Sequence, residues 1–133
     1  MTVFVDASAM IAMMVGESSA DALADRLEAG SVRLCSAISL WETMAGLCRS
    51  YFYSVASAGA EVQSFRDLND LRLVVIGERE LELASQAYAE FGRGRHPASL
   101  NMGDCFAYAA AKANHAALLF TGNDFAKTDI RAA

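Results

Sequence analysis

Thr2-Val3-Phe4-Val5-Asp6-Ala7-Ser8-Ala9-Met10-Ile11 is the stretch that decides the fold. Its first four residues suit a short buried strand, and the chain then turns polar at Asp6 and Ser8. Met10, Ile11, Met13 and Met14 follow as an apolar helical run. A carboxylate therefore stands on a strand-to-helix turn. The same alternation recurs downstream and sets the class of the whole chain.

A second helix is expected over Ser18–Ala29, with Ser18 and Ser19 as candidate caps and Gly30 as its stop. Val32–Cys35 reads as a second strand, followed by a long helix from Ile38 to Tyr51. There Leu40, Met44 and Leu47 share the i, i+4, i+7 spacing of a buried face, and Glu42 lies on another side. A helix over Ala58–Leu71 leads to a third strand, Leu73–Ile76, whose apolar, partly β-branched run is that of a strand covered on both faces. Glu80–Phe91 is an amphipathic helix. Gly92–Met102 is the most loop-like segment and holds the only proline. Gly103-Asp104 opens an alanine-rich helix through Asn114, Leu118–Phe120 is a fourth strand, and Thr121-Gly122-Asn123-Asp124-Phe125 is a turn with two possible caps. Strands alternating with helices imply an α/β fold, a parallel sheet of about four strands flanked by helices. At 133 residues, one domain spanning 1–133 is expected.

The bulk properties narrow the function. A composition 54% apolar and 20% charged belongs to a globular chain without low-complexity segments. The formal net charge of −5 argues against binding nucleic acid through a broad basic surface, though a nuclease can hold phosphate through bound cations. Neither a signal peptide nor a membrane span is apparent, since Phe106–Phe120 is interrupted by Lys112, Asn114 and His115. A cytoplasmic protein is expected. Three cysteines without a CxxC pair suit reduced, buried thiols, and with only two histidines a zinc site is a poor reading.

Asp6, Glu42, Asp104 and Asp124 carry the chemistry. In a parallel sheet, strand ends and helix starts meet at the carboxyl edge, where functional groups collect. Asp6 and Asp124 follow strands, Asp104 opens a helix, and Glu42 reaches the same edge with its longer side chain. Each alone reads equally well as a cap, a dipole complement or a solvated residue. Gathered, they repel one another by roughly 1 to 4 kcal/mol per pair in a partly wet site, which a cation would relieve. Oxygen-only donors select Mg²⁺ or Mn²⁺, and the matching reaction is phosphodiester hydrolysis.

Four motifs in order, Phe4-Val5-Asp6-Ala7-Ser8-Ala9, Ser39-Leu40-Trp41-Glu42, Leu100-Asn101-Met102-Gly103-Asp104 and Thr121-Gly122-Asn123-Asp124-Phe125, resemble those of PIN-domain ribonucleases, specifically the VapC toxins of bacterial toxin-antitoxin pairs. The resemblance runs from residue 2 to about 130. It implies a Mg²⁺- or Mn²⁺-dependent endoribonuclease that cuts structured cellular RNA, forms homodimers and is silenced by a VapB-like antitoxin. Asp6 and Asp104 would be the main metal ligands, Glu42 would complete the site or position water, and Asp124 would support a second ion or the first. Ser8 and Thr121 would hydrogen-bond these carboxylates or a bound water. Many members carry an acid two residues after the threonine, where this chain has Asn123; Asn123 and Asp124 are alternative fourth ligands.

Arg93 and Arg95, in the loop before Asp104, and Lys127, after the last motif, are candidate RNA-phosphate contacts, with an ordinary solvated loop as the equal alternative for the arginines. Trp41, Met44, Leu47, Tyr51, Phe52 and Tyr53 form an apolar stretch whose first reading is core packing. Its second, favoured by the resemblance, is a groove for an amphipathic antitoxin helix beside Met10, Met13 and Met14. Among rivals, an aspartyl-nucleophile phosphatase would want a second acid where Ser8 stands, and a signal receiver would want an aspartate near Ile76. A catalytically weak or inactive PIN-fold protein that acts mainly by binding its antitoxin is the alternative reading.

Overall fold

Strand β1 (Thr2–Val5) lies inside the sheet because its side chains are apolar on both faces: Val3, Phe4 and Val5 are wholly buried. In the computed structural model, which describes residues 1–133, β1 is paired in parallel on both sides. One neighbour is β2 (Val32–Ser36) and the other β4 (Ala117–Leu119), while β3 (Arg72–Val74) pairs with β2 at one margin. The strand order is β3-β2-β1-β4. Each crossover is a pair of helices: α1 (Ala7–Val15) and α2 (Ala20–Ala29), then α3 (Ala37–Tyr51) and α4 (Val55–Leu68), then α5 (Glu78–Phe91) and α6 (Met102–Ala113). This is the α/β architecture expected from the alternation. No helix is long and apolar enough to cross a membrane.

Alternation along β1 divides the core into two layers. Phe4, with Leu34 and Leu118, faces α5 and α6, where Leu100, Ala107, Ala110, Ala111 and Phe125 complete one cluster. Val3 and Val5, with Cys35 and Leu119, face α1 and α2 and pack on Met10, Leu23 and Leu27. The small side chains of α6 fit it into the first layer. Truncating the fully buried Phe4 to alanine would cost about 3–5 kcal/mol.

Three local expectations need correction. α2 starts at Ala20, after Ser19, whose side chain makes no capping bond. The fourth helix is shifted: Ser54 caps it through a bond from Ser57 N, and it ends at Leu68, before Asp70 enters the left-handed region at φ +50°. The third strand is Arg72–Val74, not Leu73–Ile76, and it is not covered on both faces; Leu73 is 43% and Val75 75% exposed. It has only one strand neighbour, so an apolar run here marks a sheet margin.

Candidate active site

β1 continues to β2 and then β3 on one side, and the chain returns to place β4 on the other. The strand order therefore reverses between β1 and β4, the position at which open parallel sheets offer a crevice. Asp6 sits there, at the carboxyl end of β1, with its backbone N–H donating to Leu119 O of β4 at 2.9 Å. Its carboxylate caps α1: Oδ2 accepts from Ser8 N at 3.0 Å and from Ser8 Oγ at 2.5 Å. Ser8 Oγ in turn accepts from Thr121 N at 3.1 Å, which locks the turn after β4 onto the Asp6 turn. Thr121 thus contributes its backbone to this network. Burial raises the Asp6 pKa, against the opposing pull of the Ser8 bonds.

The next two acids are placed by capping boxes. At the end of β2, Ser36 Oγ accepts from Ser39 N and Ser39 Oγ accepts from Ser36 N, starting α3 so that Glu42 stands in its second turn. Asn101 Oδ1 accepts from Asp104 N at 2.9 Å, and Asp104 Oδ2 accepts from Asn101 N at 3.1 Å. That fixes Asp104 in the first turn of α6 with its other oxygen free. Asp124 precedes a 3-10 turn, Phe125–Lys127, and is exposed without a side-chain capping bond.

Electrostatics link all four. Burial first, then the charges of Asp6 and Asp104, push Glu42 up to about 7, while Arg49 pulls the other way. Burial likewise pushes Asp104 up to about 6, with Asp6 and Asp124 adding to the rise and the Asn101 N–H and Arg93 opposing it. Carboxyls from four separate segments therefore share one negative field. The protein's one ion pair, Lys112–Asp129, is formed elsewhere, so no salt bridge neutralises any of them. As the side chains lie, no three acids stand close enough together to hold an ion. The donor set fits a hard cation in charge and in chemistry.

The remaining candidates are distributed as follows. Arg93 is exposed but near enough to act on Asp104, whereas the Arg95 guanidinium lies 5.1 Å from the Tyr88 ring centroid, over its face. Asn123 and Lys127 are exposed on the turn that carries Asp124. The aromatic stretch splits between core and surface: Leu47 and Met10 are buried, but Trp41 is 62% and Phe52 92% exposed. Two features escaped the sequence reading. Arg49, at i+7 from Glu42 along α3, was not singled out, and Gly103 carried no separate meaning before the Glu42 side chain was seen against it.

Fold and site together define a class of α/β proteins with acidic side chains at the carboxyl edge of a parallel sheet, and the PIN-domain family model matches residues 3–131, so the chain belongs to that family. It is similar to the VapC members in particular. It is 40% identical over 132 residues to ribonuclease VapC28 of Mycobacterium tuberculosis, covering 97% of this chain and 96% of that protein. It is 37% identical over 126 residues to ribonuclease VapC30 of the same species, covering 95% and 94%. Among solved structures, Mycobacterium tuberculosis VapC20, described as a toxin that cleaves the sarcin-ricin loop, superposes with a TM-score of 0.75 at 19% identity, covering 98% of each chain. A toxin-antitoxin complex from Klebsiella pneumoniae gives 0.67 at 20% identity, covering 96% of this chain and 92% of that one.

Proposed function

We propose that this protein is an endoribonuclease toxin of a toxin-antitoxin pair, dependent on Mg²⁺ or Mn²⁺ and acting on structured cellular RNA. The observation that carries the reading is the coupling of Asp6, Glu42, Asp104 and Asp124 across the β1/β4 crevice. Asp6, Asp104 and Asp124 would hold the cation. An ion held there would supply charge neutralisation at the scissile phosphate and a more acidic attacking water.

The chain's own residues do the rest. Ser8 holds Asp6 in one orientation and ties it to the Thr121 turn. The Asn101 box leaves one Asp104 oxygen directed away from the cap. Glu42, in the field of Asp6 and Asp104, would complete the cation's ligands or position the attacking water. Arg93 and Lys127 flank the acids as exposed cations suited to the RNA backbone. The exposed Trp41 and Phe52 suit a partner chain, the cognate antitoxin, and a homodimer is part of the same reading.

The test is cleavage of total tRNA and rRNA by the purified protein in Mg²⁺, Mn²⁺ or EDTA, beside Asp6→Asn and Asp104→Asn. Cleavage lost in EDTA and in both variants supports the reading. Cleavage that persists in both variants assigns the activity elsewhere, and no cleavage under any condition leaves the antitoxin-binding alternative.

A further inference from the structure

Asp6 and Asp104 are fixed by hydrogen bonds, but no hydrogen bond fixes Glu42. It is located by shape. Its carboxylate rests on the Cα of Gly103, the buried second residue of α6, so closely that a Cβ built there would fall inside van der Waals contact of Oε1, Oε2 and Cδ together. Gly103 has no positive φ, so the backbone conformation does not demand glycine. α6 itself would tolerate alanine at least as well, since alanine is the better helix former. What excludes a side chain at this position is the carboxylate of α3. The three atoms nearest the missing Cβ all belong to the far end of the flexible Glu42 side chain, so a methyl there displaces Glu42 before anything else.

From this we infer that Gly103 is a positioning residue: its missing side chain forms the notch that seats the Glu42 carboxylate between Asp6 and Asp104, and filling the notch removes Glu42 from the site without unfolding the protein. The inference rests on the reading of the acids as a cation-binding nuclease centre and adds to it the feature that governs the one acid no hydrogen bond holds. It assigns different devices to neighbouring positions, since Asp104 is set by the box with Asn101 whereas Glu42 is set by the absence of a Cβ on the intervening residue.

The experiment is a double-mutant cycle on the full chain with Gly103→Ala, Glu42→Ala and both together, read in three ways: RNA cleavage, calorimetric binding of Mn²⁺ to the metal-free protein, and thermal melting. Gly103→Ala and Glu42→Ala should each lower cleavage on the order of 10²-fold. On the Glu42→Ala background Gly103→Ala should add no more than about twofold, because its effect passes through the side chain already removed. Mn²⁺ affinity should follow the same non-additive pattern, and the melting temperature should not fall. If the single Gly103→Ala variant melts early, the double variant, which has room for the methyl, should regain wild-type melting, and failure to do so overturns the inference. Wild-type cleavage and Mn²⁺ affinity in Gly103→Ala, or a full additional loss on the Glu42→Ala background, also overturns it. A wild-type protein that binds Mn²⁺ but cuts no RNA refutes the nuclease reading alone, and the Mn²⁺ cycle then decides on Gly103. A protein that does neither refutes both.

Discussion

Replacing Glu42 by glutamine should make the metal-free protein more stable at neutral pH while disabling it. Glu42 is raised from its ordinary 4.5 to about 7 by burial and by the charges of Asp6 and Asp104. A carboxyl whose folded pKa lies above its unfolded one binds a proton more tightly in the native state, so stability falls as pH rises between the two values. The window runs from about 4.5 to about 7, and Asp104, raised from 3.8 to about 6, slopes the same way. Taken in full, the Glu42 difference converts to about 3 kcal/mol. Its carboxylate remains partly open to water, which screens the repulsion and leaves about 1–2 kcal/mol. For 133 residues this corresponds to about 4–7 °C in melting temperature. Melting curves in EDTA from pH 4.5 to 8 should show the wild type losing stability as pH rises. Glu42→Gln, which keeps the volume and drops the charge, should run flatter and lie above it at pH 8. Adding Mn²⁺ should restore the wild type far more than the variant. A wild-type melting temperature that climbs with pH over this range, or a variant no more stable at pH 8, would refute the claim that these acids share one unneutralised field.

Asp6→Asn and Asp104→Asn should each remove most RNA cleavage, by about 10²-fold or more, yet shift stability by no more than about 1 kcal/mol, since asparagine oxygens can still accept the capping bonds at these turns; gel cleavage and melting of the same preparations check both. Arg93→Ala should weaken RNA binding and reduce its salt dependence with little change in single-turnover rate at saturation, measured by titration at several ionic strengths. Cys35 and Cys105, whose thiols burial pushes up to about 11, should resist iodoacetamide at pH 8 in the folded state and react on denaturation, as mass spectrometry would record.

The parts of this fold that could be read from the chain are those in which local chemistry and final environment agree. β1 is apolar and central, Asp6 is both a good cap and the cap of α1, and Gly30 ends α2 where the helical pattern stops. Reading failed where the environment is set by distant neighbours. The run from Leu73 to Ile76 has the composition of a covered strand, but only the sheet order decides that β3 is marginal. The start of α4 was recoverable, because Ser54 is a good N-cap residue ahead of a helical run, whereas its end depends on the left-handed turn at Asp70. In the site, the four acidic positions stood out by their places at strand ends and helix starts. Their mutual influence, the contact of Ser8 with the Thr121 backbone and the fit of Glu42 over Gly103 are tertiary facts without a local signature.

The strand order has a kinetic corollary. β1 can join β2 early, across one helical crossover, but its other flank waits for β4, more than a hundred positions along the chain. Contacts of such separation close late and slowly. Without β4 the crevice has one wall, and Asp104 and Asp124, on the segments that flank β4, are not held beside Asp6. The connectivity therefore makes the acidic crevice a property of the complete fold, which the stretch from β1 to β3 does not assemble without α6 and β4.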